Sequence, residues 1–170
     1  DIPPSFAALC QGVPAAECLQ VYILNEFLLL FMMLPLIIPV NIAAYSIVGE
    51  KTTRSLEPLL ATPISTGELL TAKGLAAAIP AILATWAGFT VFIIGLPLVG
   101  AGAAVMRQVL SPVWLVAVLI IGPLMAVMAV IFAIMVSSRV TDPRAAEQLS
   151  AVVIVPLLAV LFGQLAGFIV

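Results

Sequence analysis

The sequence predicts an all-α, polytopic membrane protein with four transmembrane helices, and three observations predict it. Of the 170 residues, 64% are hydrophobic and 8% are charged, with a mean hydropathy of +1.32. A soluble domain carries roughly 25% charged residues, so this chain cannot clothe a core in polar side chains, and its solvent must be lipid. The apolar residues also fall into four runs, at about 21–48, 74–100, 113–136 and 149–170. Each is close to or above the roughly 20 residues a helix needs to cross a bilayer core. Finally, the few charges are gathered between the runs. Six of the fourteen, Glu50, Lys51, Arg54, Glu57, Glu68 and Lys73, lie in the single stretch Gly49 to Lys73.

Residues 1–20 hold three prolines, two cysteines and two acidic charges, and read as an extramembrane segment, the end of an external domain. Cys10 and Cys18 form a small disulfide if the segment faces an oxidising compartment; the alternative is two unpaired small apolar side chains. The first span carries Asn25 and Glu26 near one end, with Pro35 and Pro39 expected to kink it. Ionisable groups inside a membrane are expensive and often functional, so Asn25 and Glu26 are candidates for a substrate path. The competing reading has Glu26 reaching headgroup water.

The second span is uncharged and contains Pro80 and Pro97; a short connection with Arg107 as its one charge follows. The third, again uncharged, contains Pro123. A polar link at 137–148, with Arg139, Asp142, Arg144 and Glu147, leads to the fourth span, which holds Pro156. Gly163 and Gly167 there have the spacing that lets helices approach closely, within one subunit or across a dimer seam. The chain opens without an initiator methionine and ends inside an apolar run at Val170, as expected of a piece of a longer polypeptide.

Lys51, Arg54, Lys73, Arg139 and Arg144 lie in the connections 49–73 and 137–148, and Arg107 alone lies on the other side. The positive-inside rule places both connections in the cytoplasm. The cysteine-bearing segment is then outside, where a disulfide is permitted.

Within the charged stretch, Leu56, Leu59 and Leu60 recur at helical spacing with Glu57 on another face, an amphipathic helix suited to a membrane surface. Thr62-Pro63 ends it, because the residue before a proline avoids helical geometry. Ser65-Thr66-Gly67-Glu68 then has the form of a capping box opening the next helix. By itself this pattern is also that of an ordinary, well-capped loop.

The stretch GEKTTRSLEPLLATPISTGELLTAK resembles the signature between the second and third spans of ABC-2 type exporter permeases, and is closest to the sodium-efflux-like subgroup. Gly49, Glu50, Lys51, Leu56, Glu57, Leu59, Leu60, Pro63, Ser65, Glu68, Leu69 and Lys73 match it; Ala72 and Arg54-Ser55 depart from it. The later SSRVTDPRAAEQLSAVVIVP resembles the same family's link into its fifth span. The resemblance implies a coupling helix that docks on an ATPase subunit, carried here by Glu50, Arg54, Leu56, Glu57, Leu59, Leu60 and Pro63. It further implies a second permease subunit, in a homodimer or heterodimer, and first and last spans lying beyond this stretch of chain.

The chain has no GxxxxGK[ST] pattern with which to cradle phosphates, so ATP and Mg are expected on the partner ATPase, with no cofactor and no metal on this chain. Without histidine, the commonest metal ligand and general base is missing, and no catalytic residue is expected. The partners expected are thus the ATPase, a second permease subunit and membrane lipid, with no nucleic acid, at the plasma membrane. The leading reading is the membrane subunit of an ATP-driven exporter. An ion-coupled secondary transporter is the alternative, favoured by proline-broken spans but short of polar groups in the second and third.

Overall fold

The structure, a computed structural model, describes residues 14–52 and 65–166. Among these residues every regular element is helical, and four helical stretches are long and apolar enough to cross a membrane: Glu17–Ser46, Thr66–Leu98, Ala103–Arg139 and Pro143–Leu165.

The first stretch is two helices, α1 (Ala15–Phe31) and α2 (Leu34–Thr52), broken at Met32–Met33. Pro35 explains the break: it has no amide to give the Phe31 carbonyl, and its ring excludes that carbonyl from the helical position. The chain tightens through the gap, with Met33 N–H donating to the Leu30 carbonyl and Leu36 N–H to the Met33 carbonyl, both at 3.1 Å. Pro39 lies inside α2, and both prolines are fully buried.

α3 (Thr66–Leu98) is continuous over 33 residues. At 1.5 Å per residue it reaches about 50 Å, against a hydrocarbon core about 30 Å thick. It therefore begins two turns before the apolar run that starts at Gly74, and those turns stand clear of the hydrocarbon. Its far end closes where Gly100 adopts φ 74°. Gly100 N–H donates to the Pro97 carbonyl and Ala101 N–H to the Leu96 carbonyl, each at 3.1 Å, the paired bonds of a left-handed glycine helix cap.

The short connection after the second span contains a helix, α4 (Ala103–Val109), which buries Val105 and Val109. Gly102, at its N-cap, lies against Glu17 of α1. A Cβ there would stand 3.1 Å from the Glu17 Cδ and Oε1 atoms, so the carboxylate occupies the space a side chain would need, beside the positive end of a helix.

The third span is not one regular helix. It runs α5 (Pro112–Val116), a π-helical segment Ala117–Ile121, then α6 (Gly122–Arg139). α7 (Pro143–Ser150), a 3-10 turn Ala151–Ile154 and α8 (Val155–Leu165) are the last of the described elements. The link expected as a polar connection is thus largely helical: Asp142 Oδ1 accepts from Arg144 N–H at 3.0 Å, and Pro143 occupies the first turn.

α2 packs on α3, α6 and α7, while α1 packs on α4. One end of the bundle, the α4 end, thus carries Glu17, Gly100 and Arg107. The other, the α7 end, carries the C-terminus of α2, the N-terminus of α3, Arg139 and Arg144. Large apolar side chains such as Leu83, Val91, Ile94, Met128 and Phe162 point outward, as lipid-facing residues must.

Candidate functional site

The charged connections meet at the α7 end. The chain leaves α2 at Thr52 and returns at Ser65. Of the expected coupling residues, Arg54, Leu56, Glu57, Leu59, Leu60 and Pro63 lie outside the described residues. The backbone of Glu50 belongs to the last turn of α2, and its side chain is likewise outside the description.

The return point follows the sequence pattern closely. Ser65 Oγ accepts from Glu68 N–H at 3.3 Å, and Glu68 Oε2 accepts from Ser65 N–H at 2.9 Å and from Ser65 Oγ at 2.7 Å. Orphan amides at the start of α3 are thereby satisfied reciprocally. Thr71 Oγ1 donates back to the Gly67 carbonyl at 2.5 Å. Two turns in, Lys73 Nζ donates to the Ser46 carbonyl of α2 at 3.3 Å. This bond fastens the helices on either side of the charged stretch to one another.

α7 adds the remaining charges. Its Ala146 and Ser150 are buried, and Ala146 packs with Ala44 and Val48 of α2. Arg144 and Gln148 are exposed, so a small-residue face seats on the bundle and a polar face looks away from it. Lys73, Arg139 and Arg144 thus share an end with the open termini of α2 and α3, whereas Arg107 lies at the opposite end.

The candidate path residues lie elsewhere. Asn25 and Glu26 are half-buried in α1, and Glu26 Oε2 is buried without a hydrogen-bond partner among the described residues. Cys18 is buried and disulfide-bonded, while Cys10, the other cysteine of the chain, lies outside the described residues, as does Gly167 of the glycine pair. No group of three or more His, Cys, Asp or Glu side chains able to hold a metal occurs among the described residues.

Two tryptophans went unnoticed in the sequence. Trp114 is fully buried, stacked on Phe89 and Phe92 with ring centroids 6.2 and 6.0 Å away. Trp86 Nε1 donates to the Val118 carbonyl at 3.2 Å. The signal for the second was Gly122-Pro123: Pro123 has no amide, and Gly122 N–H is given to Ala117 instead. The Val118 carbonyl is therefore left for a side chain.

Neither the curated proteins nor the solved structures include a match to this chain. Residues 4–170 match the family model described as ABC-2 family transporter protein, and the chain belongs to that family, the membrane permeases of ABC transporters.

Proposed function

We propose that the chain is the membrane subunit of an ATP-driven exporter, and that Leu56, Glu57, Leu59 and Leu60, within the charged stretch 49–73, belong to the coupling helix on which a separate ATPase docks. The observation that carries this reading is the convergence at the α7 end. The charged stretch is bracketed there by α2 and by the capped start of α3, which Lys73 ties together, and α7 presents its polar face beside them. A push on the segment would reach both bracketing helices at once.

ATP and Mg belong to the partner in this proposal, and two permease subunits stand over two ATPase subunits. The α7 end faces the cytoplasm of the plasma membrane, and the Cys10–Cys18 disulfide lies outside. The likeness of the motif to the sodium-efflux-like subgroup suggests an ion as cargo, whereas the apolar, proline-kinked spans would suit a lipid or a drug; Asn25 and Glu26 are the candidates for its path.

The test replaces Leu59 and Leu60 by Ala. Buried apolar area is worth about 25 cal/mol per Å², so losing two leucine contacts should cost roughly 3 kcal/mol of docking, about a hundredfold in affinity. Insertion and expression should survive, because the spans pack independently of the segment. Pull-down of the ATPase and its ATP hydrolysis in vesicles are the measurements. Unchanged binding and hydrolysis at normal expression would refute the coupling helix. The Glu26 carboxylate oxygen, buried without a partner among the described residues, favours a second reading, ion-coupled secondary transport. Transport that persists in the same vesicles without the ATPase and stops with an ionophore would select it.

A further inference from the structure

The two larger hydrophobic cores of the bundle meet at a boundary that coincides with the breaks in its helices; a third, small cluster of Ala44, Val48 and Ala146 lies at the α7 end. The core toward the α4 end is built from bulky side chains: Leu24, Leu28, Phe31 and Met32 against Phe89, Leu96, Trp114 and Val118. Its rings interlock, Phe27 on Phe92 at 5.1 Å and Phe31 on Phe89 at 6.0 Å. The core toward the α7 end is built from small ones, chiefly Ala43, Ala77, Ala78, Ala129 and Ala133. Among the described residues no fully buried side chain belongs to both, and half-buried Leu157 of α8 packs against each.

In the first span the division falls at Met32–Pro35; in the third it falls between Val118 and Ala129. These are the places where the helical hydrogen bonding fails, at the gap before Pro35 and at the π segment before Pro123. The two breaks face one another: a Cβ on Gly122 would stand 3.8 Å from Pro35 Cγ. α3 passes through the same level without breaking, but is softened there. Pro80 removes one of its bonds, and buried Thr85 gives its hydroxyl to the Ala81 carbonyl at 2.8 Å, a contact that often bends helices. At this level Trp86 of α3 reaches the freed Val118 carbonyl of the π segment.

Two tightly packed bodies joined by interrupted helices move as units, because packed cores resist deformation and joints do not. We propose that these interruptions form one pivot, at which the aromatic half of the bundle tilts against the alanine-rich half, and that the Trp86–Val118 hydrogen bond ties the arrangement seen here. The pivot follows from packing alone and stands apart from the coupling segment. It gives a push at the α7 end a way to open the α4 end.

Spin-label distances in the full-length chain in phospholipid vesicles test it. Labels at exposed Leu98 and Met135 report across the pivot, and labels at exposed Ile23 and Val91 report within the aromatic half. The first pair should show two populations and the second one. Trp86→Phe keeps a ring and removes the donor; it should raise the minor population of the Leu98–Met135 pair about fivefold, equivalent to about 1 kcal/mol, the net worth of one hydrogen bond. Pro123→Ala restores an amide and should lower it. A single Leu98–Met135 distance, identical in wild type and both variants, overturns the pivot. So does an equal change within the Ile23–Val91 pair, which would mean general loosening. Should only the coupling proposal fail, adding the ATPase and ATP leaves the distances unmoved while Trp86→Phe still shifts them.

Discussion

Ser150 shows how little polar chemistry this bundle holds inside. It sits one turn beyond Ala146 on the buried face of α7, fully enclosed, and its hydroxyl has no hydrogen-bond partner among the described residues. A buried hydroxyl that makes no bond forfeits its hydration without recompense. Ser150→Ala is therefore expected to stabilise the protein, by about 1 kcal/mol, seen as a higher unfolding temperature in detergent. A lower one would mean that the hydroxyl is bonded after all. At this scale the sequence was legible where a residue type has one dominant use. Pro35 interrupts the first span, and Ser65 and Glu68 form a capping box. It was not legible at Trp86 and Trp114, whose roles depend on which faces of two distant helices meet. In a uniformly apolar run there is no polar–apolar period to report those faces.

Among the elements, α3 is the one whose start the sequence specifies most fully, through Ser65 and Glu68. Ser65→Ala removes both the acceptor for the Glu68 amide and a donor to its carboxylate. Losing such a cap costs about 1 kcal/mol. Because α3 contributes to both cores further along, the damage should stay local. Amide exchange is expected to quicken over the first turn, Thr66 to Leu69, and to hold its rate at Ala77, Ala78 and Ala81. Faster exchange throughout would mean that the cap supports the whole helix. The breaks in spans one and three tell the opposite story about legibility. Pro35 and Pro123 announce kinks, but only the structure shows one resolved as a two-residue gap and the other as a π segment. Both outcomes preserve backbone bonding in a solvent that offers none, and choosing between them requires the neighbouring helices.

For the whole molecule, the decisive quantity is which end faces the cytoplasm. The composition alone fixed the class, since so few charges leave lipid as the only solvent. The candidate coupling residues were legible as a motif, yet most of them lie outside the described residues, so their geometry is carried by what brackets them. The fold sorts the described basic residues by end: Lys73, Arg139 and Arg144 on one side, Arg107 on the other. Basic residues near span ends favour the cytoplasmic face, and a disulfide at Cys18 favours an oxidising compartment for the opposite end. The two arguments are independent, one resting on charge and one on redox chemistry, and they point the same way. Single cysteines make the test. One at Thr53 or Thr141 should react with an impermeant maleimide only from the cytoplasmic side, and one at Ala103 only from outside. Cys10 and Cys18, proposed to be bonded to one another, serve as internal controls and should stay unlabelled until reduced. Labelling at Thr53 from outside would invert the molecule. The charged connections would then lie where no cytoplasmic ATPase can reach them, and the coupling proposal would fall with the orientation.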